Sequence, residues 1–226
     1  MKKKGGGWQM LVDFIYPTFC LGCGAVGVFL CDECRLGLEF AEQICPMCGK
    51  GSSMGWTHKQ CWKNDGLDGL TCIYAYEDET VKKAIDDLKF GFNREVAPLL
   101  LKDFVFESGV EFDAVIPMPL YFYRENWRGF NQAELIATQI EKGMGLRTEE
   151  WLVREKNTKQ QSLLMSFGER ETNLEGAFGI AEEEKVKGKK VLLVDDVFTS
   201  GASMREAARS LKKAGVRMVW GLALAH

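Results

Sequence analysis

Residues 191–203 constrain the fold of this chain more than any other segment, because they place two acids and a glycine-containing turn between an apolar run and a helix. The apolar run within residues 190–194 is long enough for a buried strand and too short for a helix. Asp195 and Asp196 follow it directly, and residues 204–214 then have apolar side chains at helical spacing. Strand, loop and helix in this order predict part of a βαβ unit, in which ligands bind at the carboxyl end of the strand.

The turn between the acids and the helix has the composition of a phosphate-binding loop. Small hydroxyl-bearing residues and glycine let backbone amides converge on an anion at a helix N-terminus, where the helix dipole adds to the attraction. Carboxylates beside a phosphate repel it unless they face ribose hydroxyls or Mg²⁺, so a phosphorylated sugar bound with Mg²⁺ satisfies both conditions. The alternative is that the aspartates cap the helix and the turn is an ordinary one. The candidate residues are Asp195, Asp196, Val197, Thr199, Ser200, Gly201 and Ser203, and the two aspartates also face the Mg²⁺.

Most of the remaining chain alternates short apolar segments with amphipathic ones. This pattern predicts an α/β domain with a mainly parallel sheet flanked by helices on both faces. Residues 155–178 have weak periodicity and many polar side chains, which favours a mobile loop that leads into a short strand. No internal repeat is evident. The predicted strands are 70–76, 113–117, 190–194 and 216–225, and the predicted helices are 8–16, 80–90, 96–107, 131–142 closed by Gly143, and 204–214.

The cysteines indicate a second, metal-dependent module at the N-terminus. The chain has eight cysteines, all between residues 20 and 72, and six of them form three Cys-x-x-Cys pairs. This spacing favours metal binding over disulfides, and a His-x-x-Cys pair adds two further ligands. Eight ligands make two tetrahedral zinc sites. We expect a Cys₄ site of Cys20, Cys23, Cys31 and Cys34, and a Cys₃His site of Cys45, Cys48, His58 and Cys61.

Several features of this zinc module have alternatives. Pairing of the ligands in chain order follows from the short intervening loops, but a crossed arrangement uses the same ligands. If His58 is not a ligand, Asp65 or a solvent molecule takes its place. Both sites are expected to be structural, because nothing suggests an open coordination position. Cys72 lies in a predicted strand and is expected to be a buried apolar residue. The predicted division is a module at 1–66 and an α/β domain at 67–226.

Charge and hydropathy exclude several function classes. The formal net charge is −3, and basic and acidic residues are mixed along the chain, which excludes a polycationic nucleic-acid-binding arm. No apolar segment approaches the roughly 20 residues of a transmembrane helix. Asp13 and Pro17 interrupt the N-terminal apolar residues, and no small-residue cleavage site follows, which argues against a signal peptide. We therefore expect a cytoplasmic protein with reduced thiols.

Short motifs occur in order along the chain: the cysteine pairs, Tyr76 and Glu77, residues 88–90, 116–120 and 128–132, Gln161, Arg170, Asn173, Gly176 and Phe178, and the loop after Asp195 and Asp196. This ordered set resembles the ComF family, in which a double zinc ribbon precedes a type I phosphoribosyltransferase-like domain. The resemblance implies that fold for residues 67–226 and binding of 5-phosphoribosyl-1-pyrophosphate (PRPP) with Mg²⁺. Threonine is commoner in the family motif at the positions of Ser200 and Ser203, but both serines retain the hydroxyl. Cysteine is commoner at the position of His58.

The resemblance also assigns roles to residues outside the acidic loop. Asn131 and Arg128 lie at a helix start, where they contact phosphate or sugar; the alternative is a helix cap and a solvated arginine. Lys89 either reaches the pyrophosphate or is the ordinary basic end of a helix. The implied PRPP-binding residues are Pro117 and Met118 in a pyrophosphate-facing turn, with Arg128, Asn131 and Gln132. Gln161 and Arg170 belong to a lid; alternatively, Arg170, Asn173 and Phe178 fix a surface loop.

Two functions are compatible with this resemblance. One is a role in DNA uptake during natural transformation (competence), with single-stranded DNA or a competence helicase as partner. Trp56, Lys59, Trp62 and Lys63 interleave aromatic and basic side chains, as on surfaces that stack on bases; alternatively, the tryptophans pack against the metal site. The other function is an active phosphoribosyltransferase that transfers phosphoribosyl from PRPP to an unidentified acceptor in nucleotide metabolism. Fold alone does not decide whether the chain is an enzyme.

Overall fold

The computed structural model describes residues 17–91, 93–120, 129–156 and 174–226. The helix predicted at 8–16 lies outside these residues. Short helical turns occur among the cysteines, and the longer elements follow them. The elements are α1 Asp32–Leu36, a 3₁₀ helix Ser53–Gly55, β1 Gly69–Tyr74, α2 Glu79–Phe90, α3 Val96–Leu100, β2 Ala114–Pro117, α4 Gln132–Met144, β3 Leu152–Arg154, β4 Phe178–Ile180, α5 Glu183–Val186, β5 Lys190–Val197, α6 Ala202–Lys213 and β6 Met218–Ala225.

The main sheet has four parallel strands in the order β1-β6-β5-β2. Pro117 at the end of β2 pairs with Val194 in β5, and Val197 at the end of β5 pairs with Ala225 in β6. The carboxyl ends of all four strands therefore lie at one edge of the sheet, where α/β proteins bind their ligands. The predicted parallel sheet is confirmed.

Apolar side chains cover both faces of this sheet. On one face, Ile85 of α2 and Ile136 of α4 are fully buried in the same cluster as Leu192. On the other face, Met204 of α6 and Phe178 of β4 are buried in the same cluster as Leu193. Helices on both faces agree with the predicted class. Within the described residues, no helix combines the length and the apolar character needed to cross a bilayer.

Two helices end at positions that differ from the prediction. The helix expected at 96–107 ends at Leu100, whose carbonyl accepts a hydrogen bond of 2.7 Å from the buried Tyr74 hydroxyl. The helix expected to close at Gly143 continues to Met144, because Gly145 is the residue in the left-handed conformation, with φ of 68°. Helix ends depend on such contacts and caps, which apolar periodicity does not encode.

Strand bounds also differ from the prediction: β1 ends at Tyr74 instead of residue 76, and β6 begins at Met218 instead of residue 216. β5 is longer than expected and includes Asp195 and Asp196, so the acids are fixed by the sheet ladder. β3 was not predicted, because three residues are too few to show an alternating pattern. It pairs antiparallel with β4, which is the short strand expected after the predicted loop. Residues 157–173 of that loop lie outside the described residues.

The described part of the predicted zinc module, residues 17–66 and called the zinc segment below, covers the edge of the sheet at β1. The amide of Ala41 donates to the carbonyl of Ile73 at 3.0 Å, and the Gln43 side chain both donates to and accepts from the backbone of Cys72. Covering an edge strand satisfies its backbone groups and prevents pairing with other chains. The segment also contributes Leu30 to one core cluster and Ile44 to the other. It is thus packed on both faces of the sheet, while the boundary between residues 66 and 67 stays a prediction.

Candidate functional site

Asp195 and Asp196 point to opposite faces of the sheet, because successive side chains of a strand alternate. Asp196 faces α2, where the Lys89 ammonium lies 3.1 Å from its Oδ1 atom. The side chains of Lys89 and Asp196 are only 21% and 13% exposed, so this ion pair is shielded from water. Asp195 faces α6 and accepts a hydrogen bond of 2.9 Å from the amide of Asp196. The two acids are therefore in different environments despite being adjacent.

Burial and the neighbouring charge of Asp196 raise the pKa of Asp195 to about 7. The amide of Asp196 and the positive charges of Lys89 and Arg154 oppose this rise. At neutral pH the carboxyl group is thus poised to release its proton when a cation or a hydrogen-bond donor approaches. A strongly raised carboxyl pKa at the carboxyl edge of a parallel sheet is typical of a functional site.

The raised pKa makes Asp195 a source of instability in the ligand-free protein. Because the pKa of Asp195 in the folded state lies above its ordinary value of 3.8 in the unfolded chain, the stability that it contributes is complete below pH 3.8. This stability is lost as pH rises through about 7. We expect Asp195→Asn to raise the free energy of unfolding at pH 8 by about 1 kcal/mol and to flatten its pH dependence between pH 4 and 8. Urea unfolding at several pH values measures both effects. The exposed Asp86 on α2 gives a matched control, since Asp86→Asn should leave the curve unchanged.

The loop between β5 and α6 has a backbone path that only glycine allows at one position. Gly201 has φ of 71° and immediately precedes the first residue of α6. A Cβ atom on it would lie 2.3 Å from the Phe198 ring, so any larger residue displaces the loop. The Ser200 hydroxyl is 3.5 Å from the amide of Ala202, and a small depression of about 30 Å³ opens between the loop and Asp195. Its lining residues are Asp195, Val197, Phe198, Thr199, Gly201, Ala202, Ser203 and Met204.

The turn after β2 lies beside the acids, as predicted. The amide of Met118 donates to the carbonyl of Val194 at 2.8 Å, which places this turn next to Asp195. Asn131 caps α4 by accepting from the amide of Ala133, and its Nδ2 atom donates to the Met118 carbonyl at 3.0 Å. Asn131 therefore fixes the turn as well as the helix. Gln132 is buried at the start of α4, whereas Arg128, Gln161 and Arg170 lie outside the described residues.

A polar groove of about 310 Å³ adjoins the turn after β2. Its floor includes Pro117 and Asn131, and its far wall includes Glu150 and Arg154. The Arg154 guanidinium lies 5.4 Å from the centre of the Phe178 ring and within electrostatic range of Asp195. The groove thus lies between the turn after β2 and strand β3.

The candidate zinc ligands form two separate groups of four, in chain order. Within each group all ligand atoms lie within 4.8 Å of one another. This grouping selects pairing in chain order over the crossed arrangement. Asp65 does not belong to either group and instead pairs with Arg209 at 3.3 Å. The groups are Cys20, Cys23, Cys31 and Cys34, and Cys45, Cys48, His58 and Cys61.

The two groups begin with the same backbone structure, a zinc knuckle formed by residues 20–25 in the first group and 45–50 in the second. Cys20 and Cys45 each accept a hydrogen bond of 2.9 Å at the carbonyl from the glycine four residues later. Each also donates its amide to the carbonyl five residues later, at 2.8 Å. The two knuckles share little beyond Cys-x-x-Cys-Gly, so the repeat is too short to stand out in the sequence.

The donor geometry of both groups fits zinc. Burial opposes the ionisation of Cys20, but hydrogen bonds from the amides of Cys31, Cys23 and Gly22 lower its pKa to about 6, toward the thiolate that zinc binds. In the second group, the Nδ1 atom of His58 faces Cys48 at 3.4 Å while Nε2 lies 3.2 Å from the Gly51 carbonyl. A hydrogen bond from the second ring nitrogen is the usual way to orient a histidine ligand.

Comparison with known proteins agrees with this two-part organisation. Residues 11–63 match the family model described as a double zinc ribbon domain, and residues 128–225 match the phosphoribosyl transferase domain. Competence protein F of Haemophilus influenzae is 39% identical over 224 residues, which cover 87% of this chain and 97% of that protein. The chain belongs to the ComF family.

Two other relatives of this ComF-family protein are similar over most of their length. Competence protein ComFC of Bacillus subtilis is 28% identical over 198 residues, which cover 82% of this chain and 79% of that protein. DNA utilization protein YhgH of Escherichia coli K12 is 27% identical over 203 residues, which cover 84% of this chain and 87% of that protein. The family, the type I phosphoribosyltransferase fold and the zinc ribbon are thus confirmed.

The tryptophans of the zinc ribbon have packing roles. Trp56 contacts the buried Trp220 edge to face, with ring centres 4.7 Å apart. The indole nitrogen of Trp62 donates to Asp68 at 3.2 Å, although half of the Trp62 side chain remains exposed. Packing on Trp220 thus covers only part of Trp56, which is 38% exposed, and Trp62 is 51% exposed.

Sequence reasoning missed three residues of this ComF site. Arg154 was in no motif, and Arg205 and Glu206 looked like ordinary residues of an amphipathic helix. Glu206 is buried and accepts a hydrogen bond of 2.9 Å from the amide of Gly176, which fixes one end of the predicted lid segment to α6. The burial of Glu206 and the contacts of the two arginines follow from the fold, so the helix pattern carried no signal for these residues.

Proposed function

We propose that this ComF-family protein binds PRPP with Mg²⁺ at the carboxyl ends of β5 and β2 and acts in DNA uptake. One observation supports the proposal most: Asp195 and Asp196 lie partly buried between Lys89 and the loop that begins α6. The Lys89 ammonium offsets only one of the two negative charges, so the pair of acids can still bind a cation or sugar hydroxyls, and the loop offers amides to a phosphate.

In the proposed complex each part of the ligand has its own contacts. The 5-phosphate lies against Thr199, Ser200, Gly201 and Ser203 at the N-terminus of α6. The ribose hydroxyls face the two aspartates. The pyrophosphate faces the turn at Pro117 and Met118, and bound Mg²⁺ neutralises its charge. Arg128, Asn131 and Gln132 are proposed to complete the binding set, with Gln161 and Arg170 in a closing lid.

An equilibrium titration of the full-length protein with PRPP tests the proposal. We expect binding in Mg²⁺ and its loss in excess EDTA, because the ligand's charge is then unscreened beside two acids. Ribose 5-phosphate should compete weakly, since it lacks the pyrophosphate. A wild-type protein that shows no heat or spectral change with millimolar PRPP in Mg²⁺ would exclude the proposal.

The pH dependence of this binding follows from the raised pKa of Asp195. With a pKa of about 7, most Asp195 carboxyls are ionised at pH 8 and few at pH 6. Since the ionised form binds the cation or accepts from ribose, we expect affinity for Mg²⁺-PRPP to fall about ten-fold from pH 8 to pH 6. The Asp195→Asn protein should show a weak and nearly pH-independent affinity over the same range. If the affinity changes with pH equally in both proteins, the group that titrates is not Asp195.

A second candidate function is transfer of the phosphoribosyl group to an acceptor. The groove lined by Pro117, Asn131, Glu150 and Arg154 favours it, because it adjoins the place proposed for the anomeric carbon and has room for a small polar acceptor. Incubation with labelled PRPP and a panel of nucleobases and amines tests transfer. Pyrophosphate release with one acceptor supports an enzyme, and none with any acceptor supports ligand binding alone.

The proposed role in DNA uptake is supported by the relatives, two of which are named competence proteins and one a DNA utilization protein. Single-stranded DNA or a competence helicase is the proposed partner, and the cytoplasm, where thiols stay reduced, is the proposed location. Direct DNA binding by the full-length protein must weaken as salt rises, because lysines such as Lys59 and Lys63 would displace counterions. Salt-insensitive binding would favour a protein partner instead.

A further inference from the structure

The guanidinium of Arg205 joins the second zinc knuckle to the phosphate-binding loop. Its Nη1 atom donates to the carbonyl of Pro46 at 3.0 Å, and its Nη2 atom donates to the carbonyl of Ser200 at 2.7 Å. Pro46 is buried and lies between the zinc ligands Cys45 and Cys48, whereas Ser200 belongs to the loop before α6. One planar group therefore contacts the backbone of both sites.

The loop side of this contact is tightly packed. Arg205 lies in the first turn of α6 and donates its own amide to the carbonyl of Gly201 at 2.9 Å. A Cβ atom on Gly201 would be 2.9 Å from the Arg205 Nη1 atom, so the side chain lies directly beneath the loop. The rigid fork of arginine transmits a displacement of one partner to the other more directly than a flexible lysine does.

The metal side of this contact depends on the ligands of the second group. The Pro46 carbonyl belongs to a short knuckle whose other end, Cys48, is exposed, so apolar packing holds only part of it. Small metal modules owe their backbone structure to the bound ion. Loss of the ion therefore frees the Pro46 carbonyl to move, and Arg205 with it.

Within the described residues, the first zinc knuckle has no equivalent contact with the loop. It lies instead against the start of α2, where a Cβ atom on Gly22 would be 3.5 Å from the Thr80 methyl group. The two zinc groups are thus similar in backbone structure and different in what they touch.

We infer that Arg205 is a positioning residue through which the metal of the Cys45, Cys48, His58 and Cys61 group sets the affinity of the loop for a sugar phosphate. The inference rests on the proposed PRPP site. Coupling between two binding sites is reciprocal, so bound sugar phosphate must also raise the affinity for that metal, and we expect the gain to appear as slower metal release. The hydrogen bonds of Arg205 then make the loop's affinity for sugar phosphate depend on bound metal, and the affinity for metal depend on bound sugar phosphate.

Titration of full-length variants with Mg²⁺-PRPP tests the loop side. We expect Arg205→Met to weaken binding about ten-fold, because two hydrogen bonds from a charged donor are lost, and Arg205→Lys to weaken it less. Asp65→Asn is the matched control, since it breaks another link between the zinc segment and α6, the pair with Arg209, and leaves Arg209 with its partner Glu206. It should retain wild-type affinity even where its melting temperature falls. Equal affinity of Arg205→Met and wild type, or an equal loss in Asp65→Asn, overturns the inference.

Release of zinc to an excess of a colorimetric chelator tests the metal side. In the wild type we expect Mg²⁺-PRPP to slow the release of one of the two ions, and in Arg205→Met we expect faster release that PRPP does not change. If PRPP slows release equally in both proteins, or in neither, the coupling does not exist. A wild type that binds no PRPP excludes the proposed function, whereas wild-type binding with an unaffected Arg205→Met excludes the inference alone.

Discussion

Replacing Asp195 and Asp196 together with alanine is expected to lower the affinity for Mg²⁺-PRPP by at least about 100-fold. Each carboxylate is proposed to accept a hydrogen bond from ribose or to face the cation, and such charged hydrogen bonds contribute about 1.5–3 kcal/mol each. The two losses together exceed any gain from removing negative charge near the phosphate. Isothermal titration in Mg²⁺ at pH 8 measures the effect.

The fold itself should survive this double substitution. Asp195 is destabilising in its ionised form, and the ladder of β5 is made by the backbone. The Lys89 ammonium loses its partner, so a triple variant that adds Lys89→Met separates repulsion from lost ligand contacts. Asp86→Ala, on the exposed side of α2, controls for a change of net charge. Wild-type affinity in the double variant would contradict the proposed site, whatever its stability.

Removing zinc is expected to have the largest effect on stability. The zinc segment covers the β1 edge through Ala41 and Gln43 and buries Leu30 and Ile44 in opposite core clusters. Its loss exposes an edge strand and part of both cores, so we expect the melting temperature to fall by about 10 °C or more in excess chelator. Differential scanning calorimetry with and without chelator measures the change.

A matched pair of cysteine variants separates metal loss from loss of a thiol. Cys45→Ser removes a buried ligand of the second group and should reproduce much of the chelator effect. Cys72→Ala removes a buried cysteine that belongs to neither group and should cost about 1 kcal/mol, with chelator still effective. If both variants melt at the same temperature and respond equally to chelator, the second group is not a structural metal site.

Helix α6 connects the two parts of the chain that sequence patterns treat separately. The zinc segment and the α/β domain have distinct compositions, yet Arg205, Arg209 and Lys212 of α6 each contact the zinc segment or the strand start beside it. Lys212 pairs with the nearly buried Asp68 at 2.7 Å. Helix α6, which follows the proposed phosphate-binding loop, therefore also contacts the second zinc group and the residues beside it.

The sequence by itself determined the parts that depend on local spacing. Adjacent acids after an apolar run, a glycine in a hydroxyl-rich turn and cysteines two residues apart act within a few residues of one another, so their chemistry is visible in order along the chain. The eight zinc ligands, the parallel sheet and the loop before α6 were all predictable for this reason. The order of the motifs along the chain was then enough to indicate the ComF family.

Only the tertiary structure decided which distant residues share the site. Lys89 meets Asp196 because α2 packs beside β5, and Arg205 meets Pro46, 159 residues away in sequence, because the zinc segment folds back over the sheet edge. The antiparallel pair that places Arg154 near Asp195 consists of three-residue strands without a readable pattern. Such contacts depend on strand order and on packing of whole faces, and these are set by the burial of the entire core, not by any one segment.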